Sequence, residues 1–268
     1  LSDKKRQNNS AVACSSTNKT DENGRIFLVS NVSIEPYYDT NENWVAHQRL
    51  KTKRTRNRKR VTHDEHFNFK GTHYKINSSK SGVYVETMSA MLNQFEICLE
   101  KWSRVFVYRF DLHTSISSSD NRIISIFIKN LVARIKWNYQ VDEVGYCWVR
   151  EQERAKSQHY HCVIFLDGDR IRHPSKLIQM IKQLWETAGG YNHVPVIQSP
   201  FYFVDNDISK KDVVYRISYL AKARGKGYRP PQTKDYGCSR VKISKYSLMK
   251  KLIGINCNKK TVYFKEKI

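Results

Sequence analysis

No run of about 18 apolar residues occurs in this chain, so nothing in the sequence predicts a helix that crosses a bilayer. The six cysteines are scattered, and no CxxC spacing occurs, which excludes the paired-thiol zinc and redox motifs. HExxH is missing, which removes the zinc-protease reading. GxxxxGK[ST] is missing too, so no nucleotide-driven helicase of the P-loop type is expected. The first residues, Leu1 to Arg6, are polar and lead into no apolar segment, which predicts no secretory signal. Acidic residues are scarce beside basic ones: 25 Asp and Glu against 47 Lys and Arg give a formal charge of +22. An excess of that size calls for a polyanionic partner, nucleic acid or an anionic surface.

An apolar content of 40 % over 268 residues is enough for a core. It is unevenly distributed. Ser, Thr, Asn and Asp dominate up to about residue 43. From His47 to Arg60, eight of fourteen residues are Lys or Arg, Arg54, Arg56 and Arg58 among them. Residues 1–65 therefore read as a disordered or weakly ordered basic arm that can grip phosphate. A globular domain is expected over 66–240, followed by a basic C-terminal extension over 241–268. Cys98, Cys147 and Cys162 sit among apolar residues as small buried hydrophobes, and a reducing cytoplasm is the expected setting.

Within the domain, Met88, Met91, Leu92, Phe95 and Leu99 recur at helical spacing and predict a helix over 85–102. Residues 104–113 read as a strand, with Phe106, Tyr108, Phe110 and Leu112 on one face and Asp111 and His113 on the other. Ile124, Phe127, Leu131 and Ile135 predict a helix over 121–137. Strands follow at 146–153 and 159–166, joined as a hairpin. Pro174 opens the next helix as its first residue, and Gly189-Gly190 ends it. A short strand over 201–204 and a helix over 211–224 complete the pattern. The order β-α-β-β-α-β-α predicts an α+β, ferredoxin-like sandwich, a central antiparallel sheet with helices packed on it.

Two strings carry the chemistry. In His159-Tyr160-His161 the strand period puts both imidazoles on one face, while Cys162, Ile164 and Leu166 take the other. The same alternation groups Cys147, Val149, Glu151 and Glu153, so the hairpin brings Glu151 or Glu153 beside the histidines. Two imidazoles and a carboxylate suit a six-coordinate Mg²⁺ or Mn²⁺ with open water positions. Asp111 and His113 offer a further ligand or an outer-shell partner. The second string is Tyr215 to Lys222. Val213, Ile217 and Leu220 form its apolar stripe, which leaves Tyr215, Tyr219 and Lys222 on the opposite, polar side. Lys222, one turn beyond Tyr219, could steady a phenolate or neutralise a phosphate.

Together these strings resemble the HUH endonuclease superfamily of rolling-circle replication initiators. His159-Tyr160-His161 resembles its histidine motif, and Tyr219-Leu220-Ala221-Lys222 its YxxK motif, with Tyr215 adding the two-tyrosine form. Phe110-Asp111-Leu112-His113 sits where the first motif belongs, and Glu151 matches the spacing of a third metal ligand. More narrowly, residues 100–240 resemble the inovirus-type replication proteins of filamentous phages and prophage-like elements. That resemblance implies an HUH nuclease sandwich, with Tyr219 attacking a phosphate of single-stranded or origin DNA and leaving a 5′-phosphotyrosine and a free 3′-OH. It implies a metal on His159, His161 and Glu151, a second transfer by Tyr215, and a host replication helicase or polymerase as partner in a bacterial cytoplasm. No membrane and no small-molecule substrate are expected. Arg224, Lys226 and Arg229, with the arm, are expected to hold DNA phosphates. A non-catalytic basic DNA-binding protein is the alternative from another class. A single-strand transposase or relaxase is the alternative within enzymes.

Overall fold

The computed structural model describes residues 15–20, 26–31, 60–115, 117–152, 158–188, 192–226 and 233–242. The chain divides into two compact units, Leu1–Gln48 and Arg49–Ile268. In the first, β1 (Ser15–Thr20) and β2 (Ile26–Asn31) pair as an antiparallel hairpin, inside the stretch read from sequence as an arm.

The second unit begins its regular structure a few residues before the boundary expected at 66. Strand β3 (Val61–Thr62) pairs with β6 (Val83–Tyr84). Between them β4 (His66–Phe69) and β5 (Thr72–Lys75) form a hairpin. Its turn residues Lys70 and Gly71 both take positive φ, 51° and 83°, the geometry that matches strand twist in a two-residue loop. Phe67, Phe69 and Tyr74 turn inward to the core.

The main sheet is built from β7 (Val105–His113), β8 (Gly145–Glu151), β9 (His159–Asp167), β10 (Phe201–Val204) and β11 (Tyr236–Cys238). Its order is β10-β7-β9-β8-β11, antiparallel throughout. Helices α1 (Val85–Lys101), α2 (Arg122–Tyr139), α3 (Ser175–Glu186) and α4 (Asp207–Ser218) pack on it. The first four strands with α2 and α3 reproduce the expected ferredoxin-like order. The period-2 alternation sorts the core into two layers. Phe106, Phe110, Leu112, Tyr160, Cys162 and Ile164 face α2 and α3. Val107, Cys147, Val149, Val163 and Phe165 face α1 and α4.

The small strands β3 to β6 and β11 were not expected from the sequence; in the elements that were, the differences fall at the ends. Pro174 precedes α3 as its cap with φ −75° and is not its first residue. The tyrosine helix begins at Asp207 rather than 211, because Asn206 and Ser209 close a capping box there, with the Ser209 N–H donating to Asn206 Oδ1 at 2.9 Å. It also ends earlier, at Ser218, and continues as a 3₁₀ turn over Tyr219–Ala221. The hydroxyl of Ser218 donates to the Tyr215 carbonyl and accepts from the Asn77 N–H, which ties the helix end to the segment that follows β5. Lys222 then bridges to Val83, so the chain leaves the helix to run beside β6. Residues 153–157, 189–191 and 227–232 lie outside the described set, and with them Glu153, Gly189-Gly190 and Arg229. No helix among the described residues is long and apolar enough to cross a membrane.

Candidate functional site

Along the α1/α4 face of the sheet, three neighbouring strands change character at the same end. Strand β7 passes from Val105 and Val107 to Arg109, Asp111 and His113; β9 runs back from Phe165 and Val163 to His161 and His159; β8 goes from Cys147 and Val149 to Glu151. Register lines these positions up. His113, His159 and Glu151 form one row across the sheet, and Asp111, His161 and Val149 the next. Ladder bonds on both sides of β9 hold the two histidines, so the hairpin expectation for Glu151 is met by geometry.

Among the described residues, Glu151, His159 and His161 form the one group able to hold a metal ion, with ligand atoms all within 4.8 Å of one another. Nε2 of His161 lies 3.1 Å from Glu151 Oε2, and Nε2 of His159 lies 3.9 Å from Oε1. Nδ1–H of His161 donates to Asp111 Oδ1 at 2.8 Å, which aims the other ring nitrogen into the group. Asp111 is thus an outer partner of a ligand and not a member of the group. Two imidazole nitrogens and a carboxylate oxygen make a donor set that fits a divalent cation.

The electrostatics agree. Burial would raise the Glu151 carboxyl, but the His161 hydrogen bond and the charges of Lys226 and both histidines outweigh it and bring it down to about 2. Asp111 behaves alike: burial raises it, and its bond with His161 and the nearby Arg109 hold it below the usual carboxylate range. Burial would lower His161, yet its bonds to Asp111 and Glu151 raise it. Positive charge is therefore favoured between these carboxylates, and His161 must release its proton before it can bind an ion.

Tyr219 sits beside this group. Its ring meets His161 edge-on, with centroids 5.3 Å apart. Burial raises its phenol, the charges of Glu151 and Asp111 raise it further, and Arg109 and Arg224 pull the other way. Lys222 lies 5.6 Å from the ring centroid, whereas Arg109, which sequence reasoning passed over, is nearer at 4.5 Å. Arg109 was visible in principle: it shares the alternating face of Asp111 and His113, a polar residue where the strand should be apolar. Tyr215 is in the body of α4 and 44 % exposed. The two tyrosines thus lie on either side of the junction between α-helix and 3₁₀ turn, which replaces the single helical face expected for them.

The DNA-binding candidates separate. Arg224 is exposed. Lys226 is not: it is 2 % exposed, and its Nζ lies 3.2 Å from Glu151 Oε2. The expectation that Lys226 holds DNA phosphate is therefore corrected, since its ammonium is enclosed and paired with the carboxylate. Arg54, Arg56, Arg58 and Arg229 lie outside the described residues. His193 is a further histidine the sequence reading missed. It exchanges two backbone hydrogen bonds with His113, their rings 4.7 Å apart, and His113 in turn lies 5.3 Å from His159.

Tyr160, between the two histidines, points the opposite way. It is fully buried against Trp148 and Trp185, and its hydroxyl accepts from Gln158 Nε2 at 2.6 Å. Arg150, its partner across β8, donates to Gln158 Oε1 at 2.8 Å and to the Ser118 and Asp120 carbonyls.

Gly225 closes the site from behind. It has φ +69°, and a Cβ there would stand 2.4 Å from Glu151 Cγ and 2.6 Å from Oε1. Gly225→Ala should therefore expel the Glu151 carboxylate, lowering Mn²⁺ affinity in calorimetry by at least ~10-fold and stability by about 1–3 kcal/mol. Unchanged ion binding in that variant would mean Glu151 is no ligand.

A family model, the YagK/YfjJ C-terminal domain, matches residues 62–239. No curated protein and no solved structure matches the chain. The match begins at the second residue of β3 and ends just after β11, so it contains β4 to β11, all four helices and every candidate ligand described above. Since it spans more than half of the sequence, the chain belongs to the YagK/YfjJ C-terminal domain family.

Proposed function

We propose that this protein is a DNA strand transferase of the HUH type, a replication initiator that nicks one strand through a 5′-phosphotyrosine and later reseals it. The observation that carries the reading is the contact between Tyr219 and His161, which sets a phenol against the Glu151-His159-His161 group. A phenol in water is a poor nucleophile at neutral pH. Glu151, His159 and His161 would hold Mg²⁺ or Mn²⁺, and such an ion supplies polarisation of the scissile phosphate. The oxygen of Tyr219 forms the new bond to phosphorus, the bond from phosphorus to the 3′-oxygen breaks, and that oxygen leaves as a 3′-OH. One phosphodiester replaces another, so no nucleotide cofactor is required. The exposed Tyr215 is free to accept the second transfer that closes the strand. Arg224 and the cations of residues 47–60 supply phosphate contacts that fix register without reading sequence.

Incubation of the full chain with labelled single-stranded origin oligonucleotides and Mn²⁺ should give an adduct that survives a denaturing gel. Salt-sensitive binding with no adduct on any strand tested would favour a non-catalytic basic DNA-binding protein, which the charge of +22 fits equally well.

A further inference from the structure

Arg109 occupies a place that packing does not explain. Its neighbours in the same row of the sheet are Val163 and Cys147, both apolar and buried. Arg109 itself is only 6 % exposed. Its guanidinium lies 4.5 Å over the Tyr219 ring, and its Nη2 is 3.5 Å from Asp111 Oδ2. Its Nε is buried with no hydrogen-bond partner. A second cation, Arg216, is near enough to repel it. Enclosing a guanidinium beside a like charge costs several kcal/mol before pairing is counted, and an apolar side chain would fill the row at less cost.

We infer that Arg109 is the positioning residue for Tyr219, an inference that rests on reading Tyr219 as the nucleophile. Its guanidinium, over the phenol ring, holds that ring beside His161. Its ion pair with Asp111, one contact from Nη2 to Oδ2, refers that ring to the same carboxylate that orients His161. Nucleophile and ligand group thus share one frame. A lysine could keep the charge but would offer neither the plane nor the fork.

The test compares Arg109→Lys and Arg109→Met with wild type in the full chain. Arg109→Met removes a buried charge at similar length and should fold, as a thermal melt will check. With Mn²⁺ and DNA both saturating, single-turnover adduct formation should fall roughly 10–100-fold in both variants, since a misplacement near 1 Å has that scale of effect. Binding of Mn²⁺ alone should fall by much less than the roughly 10–100-fold expected when an outer partner of a ligand is lost. A second readout does not involve the reaction. With 3-fluorotyrosine placed at position 219, the ¹⁹F resonance should be displaced in wild type and move toward the free amino-acid value in both variants.

An unmoved ¹⁹F resonance in both variants overturns the inference. So does a rate loss that excess Mn²⁺ repairs, because Arg109 would then serve the ion and not the ring. Absence of any adduct in wild type is the distinct failure: it removes the nucleophile, and the positioning role falls with it.

Discussion

Titrating the full chain with Mn²⁺ should reveal one site, and His159→Ala or His161→Ala should abolish it, a loss exceeding the roughly 10–100-fold that follows removal of an outer partner such as Asp111. Glu151→Gln should do the same and more. Lys226 is enclosed with its ammonium against Glu151, so removing that carboxylate strands a buried charge, which costs about 3–5 kcal/mol. The double variant Glu151→Gln/Lys226→Met separates the two effects. Its melting temperature should recover toward wild type, because no unpaired ammonium is left inside, while Mn²⁺ binding should stay lost. Recovery of both would remove Glu151 from the ligand set. Glu153→Gln should leave ion affinity unaltered; if it is the damaging change instead, the carboxylate has been misassigned.

Tyr219→Phe should eliminate the covalent adduct, whereas Tyr215→Phe should permit the first nick at close to the wild-type rate and impair only resealing. The phenylalanine variant at 219 keeps the ring between His161 and Arg109, so its loss reports the hydroxyl alone and leaves folding intact. The distinction between the tyrosines follows from their surroundings: Tyr219 touches a candidate ligand, and Tyr215 is turned to solvent on α4. Peptide mapping of the trapped adduct decides the matter. DNA found mainly on Tyr215 exchanges the roles, and DNA on neither removes the catalytic reading.

Four of the five strands of the sheet and its four helices were legible because they rest on periodicity, whereas β11 has only three residues and shows none. Alternation in β7 and β9 separates core from polar residues without reference to anything distant. Alternation in paired strands left Glu151 or Glu153 beside the histidines, and the resemblance favoured Glu151, which the register sets opposite His159. Lys226 and His193 were not legible, since each depends on a packing partner far along the chain, Glu151 and His113 respectively, and Arg109 stood out only as a polar residue on the β7 face, its partner Tyr219 being equally distant. Lys226 in particular has the composition of a surface residue, and only the return of residues 222–226 across the sheet end encloses it. The break after Ser218 was equally hidden, because it depends on Asn77, 141 positions away. The small strands between residues 61 and 84 are too short for a period to show.

The opposed directions of Tyr160 and its flanking histidines make the triplet intolerant of misregistration. A strand that slips by one residue presents its other face along its whole length. In β9 such a slip would put Tyr160 where the two imidazoles stand and force both imidazoles among Trp148 and Trp185, where the Gln158 amide is set to meet one tyrosine hydroxyl and not two rings. The misfolded alternative is thus penalised on both sides of the sheet at once, and the penalty comes from the very residues that would perform the chemistry. The bonds from Arg150 to Gln158 and from Gln158 to Tyr160 sharpen this, because they close only when residue 150 faces residue 160. Correct register in β9 thus sets both candidate ligands in place.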